Sequence, residues 1–136
     1  MDYKQARSYI ENTSKFGSKL GLDNIRILLK LLGNPQDKLK IIHVAGTNGK
    51  GSTCSYISNM LIYQGYSVGL YTSPFLEEFN ERIRIDNQNI DDESLTFVIT
   101  KVKDCIDEML LQGHDHPTEF EIITAAAYVY FEQKNV

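Results

Sequence analysis

Apolar residues first recur at helical offsets at Tyr3, Ala6, Tyr9 and Ile10, predicting a short, peripheral helix over residues 2–12. A second helix follows, capped by Asp23 or Asn24, carrying Ile25, Ile27, Leu28, Leu31 and Leu32, and stopped by Gly33-Asn34-Pro35. The pattern changes over residues 39–45, where Leu39, Ile41, Ile42, Val44 and Ala45 form a short apolar run closed by a glycine, the mark of a buried strand. Past a glycine-rich turn, Tyr56, Ile57, Met60, Leu61 and Tyr63 return to helical spacing. Gly65 then supplies a stop before a second strand over residues 67–71. Strand, turn, helix and strand in so short a stretch predict a βαβ unit with parallel strands.

Beyond Pro74, charge alternates with isoleucine through Glu81-Arg82-Ile83-Arg84-Ile85-Asp86, and Asn87-Gln88-Asn89 turns the chain, which predicts a small hairpin outside the main sheet. Asp91 or Asp92 caps a long helix whose apolar face holds Leu95, Val98, Ile99, Val102, Ile106, Met109 and Leu110. Thr118 and Glu121 have capping-box spacing, and residues 122–131 are apolar nearly all round, so the last helix is expected to lie deep. Two parallel strands do not cover such a helix. The fold class expected is therefore α/β, a phosphate-loop parallel-sheet domain that continues past Val136, with Lys134-Asn135-Val136 leading into a further strand.

A chain of 136 residues, 42% hydrophobic and 24% charged, fits one globular domain. Fourteen basic against eighteen acidic residues give a net charge of −4, which argues against a nucleic-acid partner and requires any phosphate to be held locally. Cys54 and Cys105 have no CxxC spacing, and the start of the chain has no secretory pattern, so a reduced, cytoplasmic setting is expected. Charged or amide side chains interrupt every apolar stretch before the ~18 residues a membrane span needs. No obligate protein partner is evident.

The strongest chemical signal is Gly46-Thr47-Asn48-Gly49-Lys50-Gly51-Ser52, set between a predicted strand and a predicted helix. Glycines let backbone N–H groups close around phosphate oxygens, the helix N-terminus adds its positive dipole end, and Lys50 brings a point charge. The spacing departs from the general phosphate loop: Gly46 stands three residues before Gly49, and Gly51 replaces the usual hydroxyl, leaving Ser52 as the first candidate hydroxyl. Tyr71-Thr72-Ser73-Pro74 ends the next predicted strand, at the sheet edge where α/β proteins bind ligands. Ser73 is thus either a turn residue or an oxygen ligand for Mg²⁺. Asp86 has the outline of a strand-terminal metal acid, but its segment reads as a surface hairpin. His114-Asp115-His116 reads as a polar connector before it reads as a metal site, and His43 as a core residue of the first strand.

These residues resemble the folylpolyglutamate synthase and dihydrofolate synthase family of the Mur ligase superfamily. The resemblance rests on residues 43–52, 69–74 and 79–83, and extends from about Leu20 to Val136. It implies an ATP-dependent amide ligase that joins L-glutamate to folate or to dihydropteroate through an acyl phosphate. Gly46, Thr47, Asn48, Gly49, Lys50, Gly51 and Ser52 would hold the ATP phosphates, with Lys50 the main catalytic cation and Ser73 a ligand of Mg²⁺. Thr118 and the Ser18, Lys19 and Leu20 region would meet the pteridine. The resemblance also implies that residues 1–136 are the N-terminal part of the ATP-binding domain. Residues 1–37 would be a helical lead-in, and the remaining metal ligands and the glutamate-binding domain would lie elsewhere, leaving this stretch inactive alone. The alternatives are a phosphate-loop kinase or a non-catalytic nucleotide-binding module.

Overall fold

A computed structural model describes residues 1–17 and 21–136. Ser18, Lys19 and Leu20 lie outside the described residues. Helix α1 (Tyr3–Thr13) is launched by a reciprocal cap in which the Gln5 amide donates to the Asp2 carboxylate at 2.8 Å and the Asp2 amide donates to Gln5 Oε1 at 2.9 Å. It is not peripheral. Ala6, Ile10 and Thr13 are buried against α4 (Asp92–Leu111) and α5 (Glu119–Lys134), and the Arg7 guanidinium lies 4.2 Å from the Phe79 ring centre. Four well-spaced side chains suffice because α1 meets two helices at once.

Helix α2 (Asp23–Leu31) starts after Leu22, which has no capping side chain, so Asp23 acts within the first turn, where its charge suits the positive end of the helix. Its end is as expected: Gly33 and Asn34 both take positive φ, +84° and +51°, and Pro35 follows. Asp91 caps α4 by accepting from the Ser94 amide at 2.7 Å. Leu95, Val98, Ile99, Val102, Ile106 and Met109 are completely buried, whereas Leu110, one position round from Met109, turns off the face and is exposed.

Helix α5 opens on the expected Thr118–Glu121 capping box, and eight of its residues are buried, from Ile122 to Phe131. Its cover is largely helical: α1, α2 and α4 all pack on it, together with strand β1 (Gly69–Tyr71). Gly69 permits that last contact, since a Cβ there would come within 2.7 Å of the Phe131 ring.

Sequence pattern and structure part company at the sheet. Strand β1 pairs antiparallel with β2 (Ile83–Ile85), matching Gly69 to Ile85 and Tyr71 to Ile83, and β2 pairs with β3 (Gln88–Asn89). The hairpin is thus joined to β1 rather than lying outside the sheet. Residues 39–45 form no strand, and no ladder joins them to β1. Ile41 and Ile42 are 52% and 61% exposed, and His43 is exposed too, not a core residue. Alternating Ile-Arg-Ile gives β2 one apolar face, so Ile83 is buried in the core while the β2 backbone pairs along one edge of β1. Helix α3 (Lys50–Tyr63) touches β1, but Ser58 is its only buried residue.

Candidate phosphate site

The loop after residue 45 is shaped by Gly49, which caps α3 at φ +75°, a region open to glycine at little cost. The first helical bond of α3 runs from the Thr53 amide to the Gly49 carbonyl at 2.9 Å. The amides of Lys50, Gly51 and Ser52 therefore precede the helical ladder and face the loop side of the helix end. Lys50 folds back over this end, its Nζ donating to the Gly46 carbonyl at 2.7 Å and to the Thr47 carbonyl at 3.4 Å. A cation, a dipole end and a row of amides thus share one solvent-open loop, with Thr47, Asn48 and Ser52 exposed beside them. Helix N-termini with this combination of groups are a general setting for phosphate oxygens, which makes the loop the candidate site.

Ser73 follows β1 and precedes a cis peptide bond to Pro74. Its Oγ accepts from Arg82 Nη2 at 3.2 Å. Arg82 is almost fully buried, and its Nη1 stands 3.5 Å from the Glu119 carboxylate in the first turn of α5. Ser73 is therefore linked through Arg82 to the residue next to Thr118. No hydrogen bond or ion pair among the described residues links Ser73 to the loop at residues 46–52.

Thr118 is buried and serves as a helix cap: its hydroxyl donates to Glu121 Oε2 at 2.9 Å and accepts from the Glu121 amide at 3.3 Å. Asp86 holds the hairpin together, accepting from the Val68 amide at 2.7 Å and the Ser67 hydroxyl at 3.2 Å. In the connector, His116 Nδ1 lies 2.7 Å from the Pro117 carbonyl. Among the described residues no three His, Cys, Asp or Glu side chains gather as a metal site.

Sequence reasoning missed the work done by residues 79–83. Phe79 and Ile83 enter the core. Asn80 donates to the Ile90 carbonyl at 2.8 Å and to the Asp92 carboxylate at 2.9 Å, and accepts from the Tyr3 hydroxyl. Glu81 accepts from the amides of Leu76, Glu77 and Glu78, which hold its carboxyl below the usual range, the Leu76 bond contributing most. These bonds fix the turn after Ser73, leaving Phe75 and Leu76 on the surface. Tyr71, at the end of β1, has its phenol pKa raised chiefly by burial, and accepts from the Thr124 hydroxyl at 3.3 Å. Only an arginine inside the charge alternation hinted at this. A buried guanidinium and a surface one look alike in sequence.

The fold and loop together define a phosphate-loop domain of Mur ligase type. The chain belongs to the folylpolyglutamate synthase and dihydrofolate synthase family. It is 44% identical over 131 residues to the dihydrofolate synthase/folylpolyglutamate synthase of Bacillus subtilis, covering 96% of this chain and 30% of that protein. The apo form of the L. casei folylpolyglutamate synthase superposes with a TM-score of 0.93 at 42% identity, over all of this chain and 33% of the other. A folylpolyglutamate synthase complex with AMPPCP and folate matches with a TM-score of 0.82 at 40% identity, again over all of this chain and 33% of that one. The chain therefore spans about a third of the length of these relatives. No family model matches it. No helix among the described residues is long and apolar enough to cross a membrane.

Proposed function

We propose that the chain is the nucleotide-binding part of an ATP-dependent amide ligase that adds L-glutamate to folate, to dihydropteroate or to both. The observation that carries this reading is the Lys50 ammonium held over the loop at the N-terminus of α3, supported by relatives whose solved complexes hold AMPPCP and folate. Residues 1–37 form the helical lead-in to this part.

In the reaction, the amides and Lys50 at residues 46–52 bind the triphosphate and offset its charge while the γ-phosphoryl group passes to the substrate carboxylate. The glutamate amine then attacks the acyl phosphate, the new C–N bond forms and inorganic phosphate leaves. Phosphoryl transfer asks mainly for positioning and charge neutralisation, which fixed backbone dipoles and one ammonium supply.

Ser73 fits Mg²⁺ as a single neutral oxygen ligand, since this ion keeps several waters and shares phosphate oxygens. When bound it supplies further neutralisation of the phosphates. Thr118 would limit the pteridine pocket as a rigid cap whose hydroxyl has one lone pair left to offer, because its proton and its other lone pair are engaged by Glu121. Ser18, Lys19 and Leu20 are retained as pteridine contacts by resemblance.

Phosphate release from MgATP by the full gene product tests the reading. Release that requires both L-glutamate and a pteridine substrate is expected, with none from the 136-residue chain above its Lys50→Ala variant. Release indifferent to both substrates would overturn the ligase and favour a kinase or nucleotide switch.

A further inference from the structure

The buried Arg82 has no place in the function proposed above, yet among the described residues it is hydrogen-bonded to Ser73. Its fork reaches Ser73 and Glu119 at once, Nη2 donating to Ser73 Oγ at 3.2 Å and Nη1 facing Glu119 at 3.5 Å, and the guanidinium also interacts with the Tyr71 phenol. The guanidinium also lies 5.5 Å from the Phe79 ring centre, so its plane is fixed from a third side. Phe79 is itself buried, and Arg82 is 7% exposed.

This arrangement has a consequence for any cation at Ser73. An N–H from Arg82 takes one lone pair of the hydroxyl oxygen and fixes its rotamer, leaving the other lone pair to face outward. A bare guanidinium so close would repel a divalent ion, but the Glu119 carboxylate stands on its other arm and offsets that charge. Lysine could not reproduce the geometry, since one ammonium lacks the two-armed fork.

We infer that Arg82 and Glu119 form a charge-balanced positioning pair that orients Ser73 toward a nucleotide-bound Mg²⁺, with Glu119 screening Arg82 from the ion. The inference rests on the phosphate-site reading above and adds two residues to it. Neither residue touches nucleotide; both act through Ser73.

The charge argument fixes the sign of each variant. Glu119→Gln leaves the guanidinium uncompensated and raises the Mg²⁺ concentration needed for half-maximal nucleotide binding by about three- to tenfold. Arg82→Gln/Glu119→Gln removes both charges and brings the requirement back toward the parent value. A purely structural role lowers thermal stability in both variants and shifts metal dependence in neither.

The experiment titrates a fluorescent ATP analogue into the chain at graded Mg²⁺, with thermal melts to confirm that each variant is folded. A raised Mg²⁺ requirement in Glu119→Gln that reverts in the double variant supports the pair. Equal Mg²⁺ dependence in parent and Glu119→Gln overturns this inference while leaving the phosphate loop intact. No analogue binding by the folded parent at any Mg²⁺ concentration overturns the phosphate-site reading itself, and this inference with it.

Discussion

Helices α3 and α5 are nearly equal in length and both are rich in apolar side chains, yet they sit in opposite environments. Eight residues of α5 are buried, while α3 buries only Ser58 and leaves Tyr56, Met60 and Tyr63 exposed at 72%, 61% and 90%. The exposed Ile41 and Ile42 lie just before the loop that begins α3. The four-helix side of the molecule thus holds most of the buried core, although Phe97, Leu111 and Phe120 stay exposed there, and the loop side carries apolar residues that nothing among the described residues covers. Stability and function are divided between them. The helices give the chain its folded state, and the loop segment carries the chemistry proposed above.

Core truncation gives the largest contrast. Ile99→Ala in α4 is expected to cost about 2–5 kcal/mol, because the site is completely buried, whereas Tyr63→Ser in α3 should stay within about 0.5 kcal/mol of the parent. Denaturant melts of the two variants check this, and similar losses would erase the distinction. Gly69→Ala comes next. It pushes a methyl group into the Phe131 ring where β1 meets α5, for an expected loss of about 1–3 kcal/mol by the same melts.

Removing the cap of α5 is smaller still: Thr118→Ala should cost about 1 kcal/mol and leave nucleotide binding unchanged. Asp91 gives the finest test. The Ser94 amide and hydroxyl hold its carboxyl below the usual range, the amide contributing most, so its folded pKa lies under its unfolded one. Its stabilising contribution is then fully present above the ordinary carboxylate range and fades as pH falls through the folded value. Asp91→Asn, which still caps, should flatten that part of the acid limb in melts followed against pH.

The same division decided what could be read from the sequence. The α4 and α5 faces and both capping residues were legible, because Leu95, Val98, Ile99 and Val102 repeat at the helical period and are satisfied by neighbours within the described chain. The turn at residues 46–52 and the helix that follows it were legible from the glycines. Residues 39–45 read as a buried strand from their own composition, but a strand also needs a ladder partner, and among the described residues none pairs with them, the second edge of β1 included. Arg82 and Glu119 were illegible as a site. Their pairing joins two segments distant in sequence, and no local period announces it.

The measurement that bears most directly on the account is calorimetric titration of AMPPCP with Mg²⁺ into the chain and into its Lys50→Ala variant. Loss of the charge-assisted bonds made by Lys50 should weaken binding by about tenfold to a hundredfold, from the roughly 1.5–3 kcal/mol such bonds supply. Saturable one-to-one binding by the parent, reduced by that factor in a variant that melts like the parent, is the result predicted. Equal binding by both, or none by the folded parent, would contradict the assignment of residues 46–52 as the phosphate site.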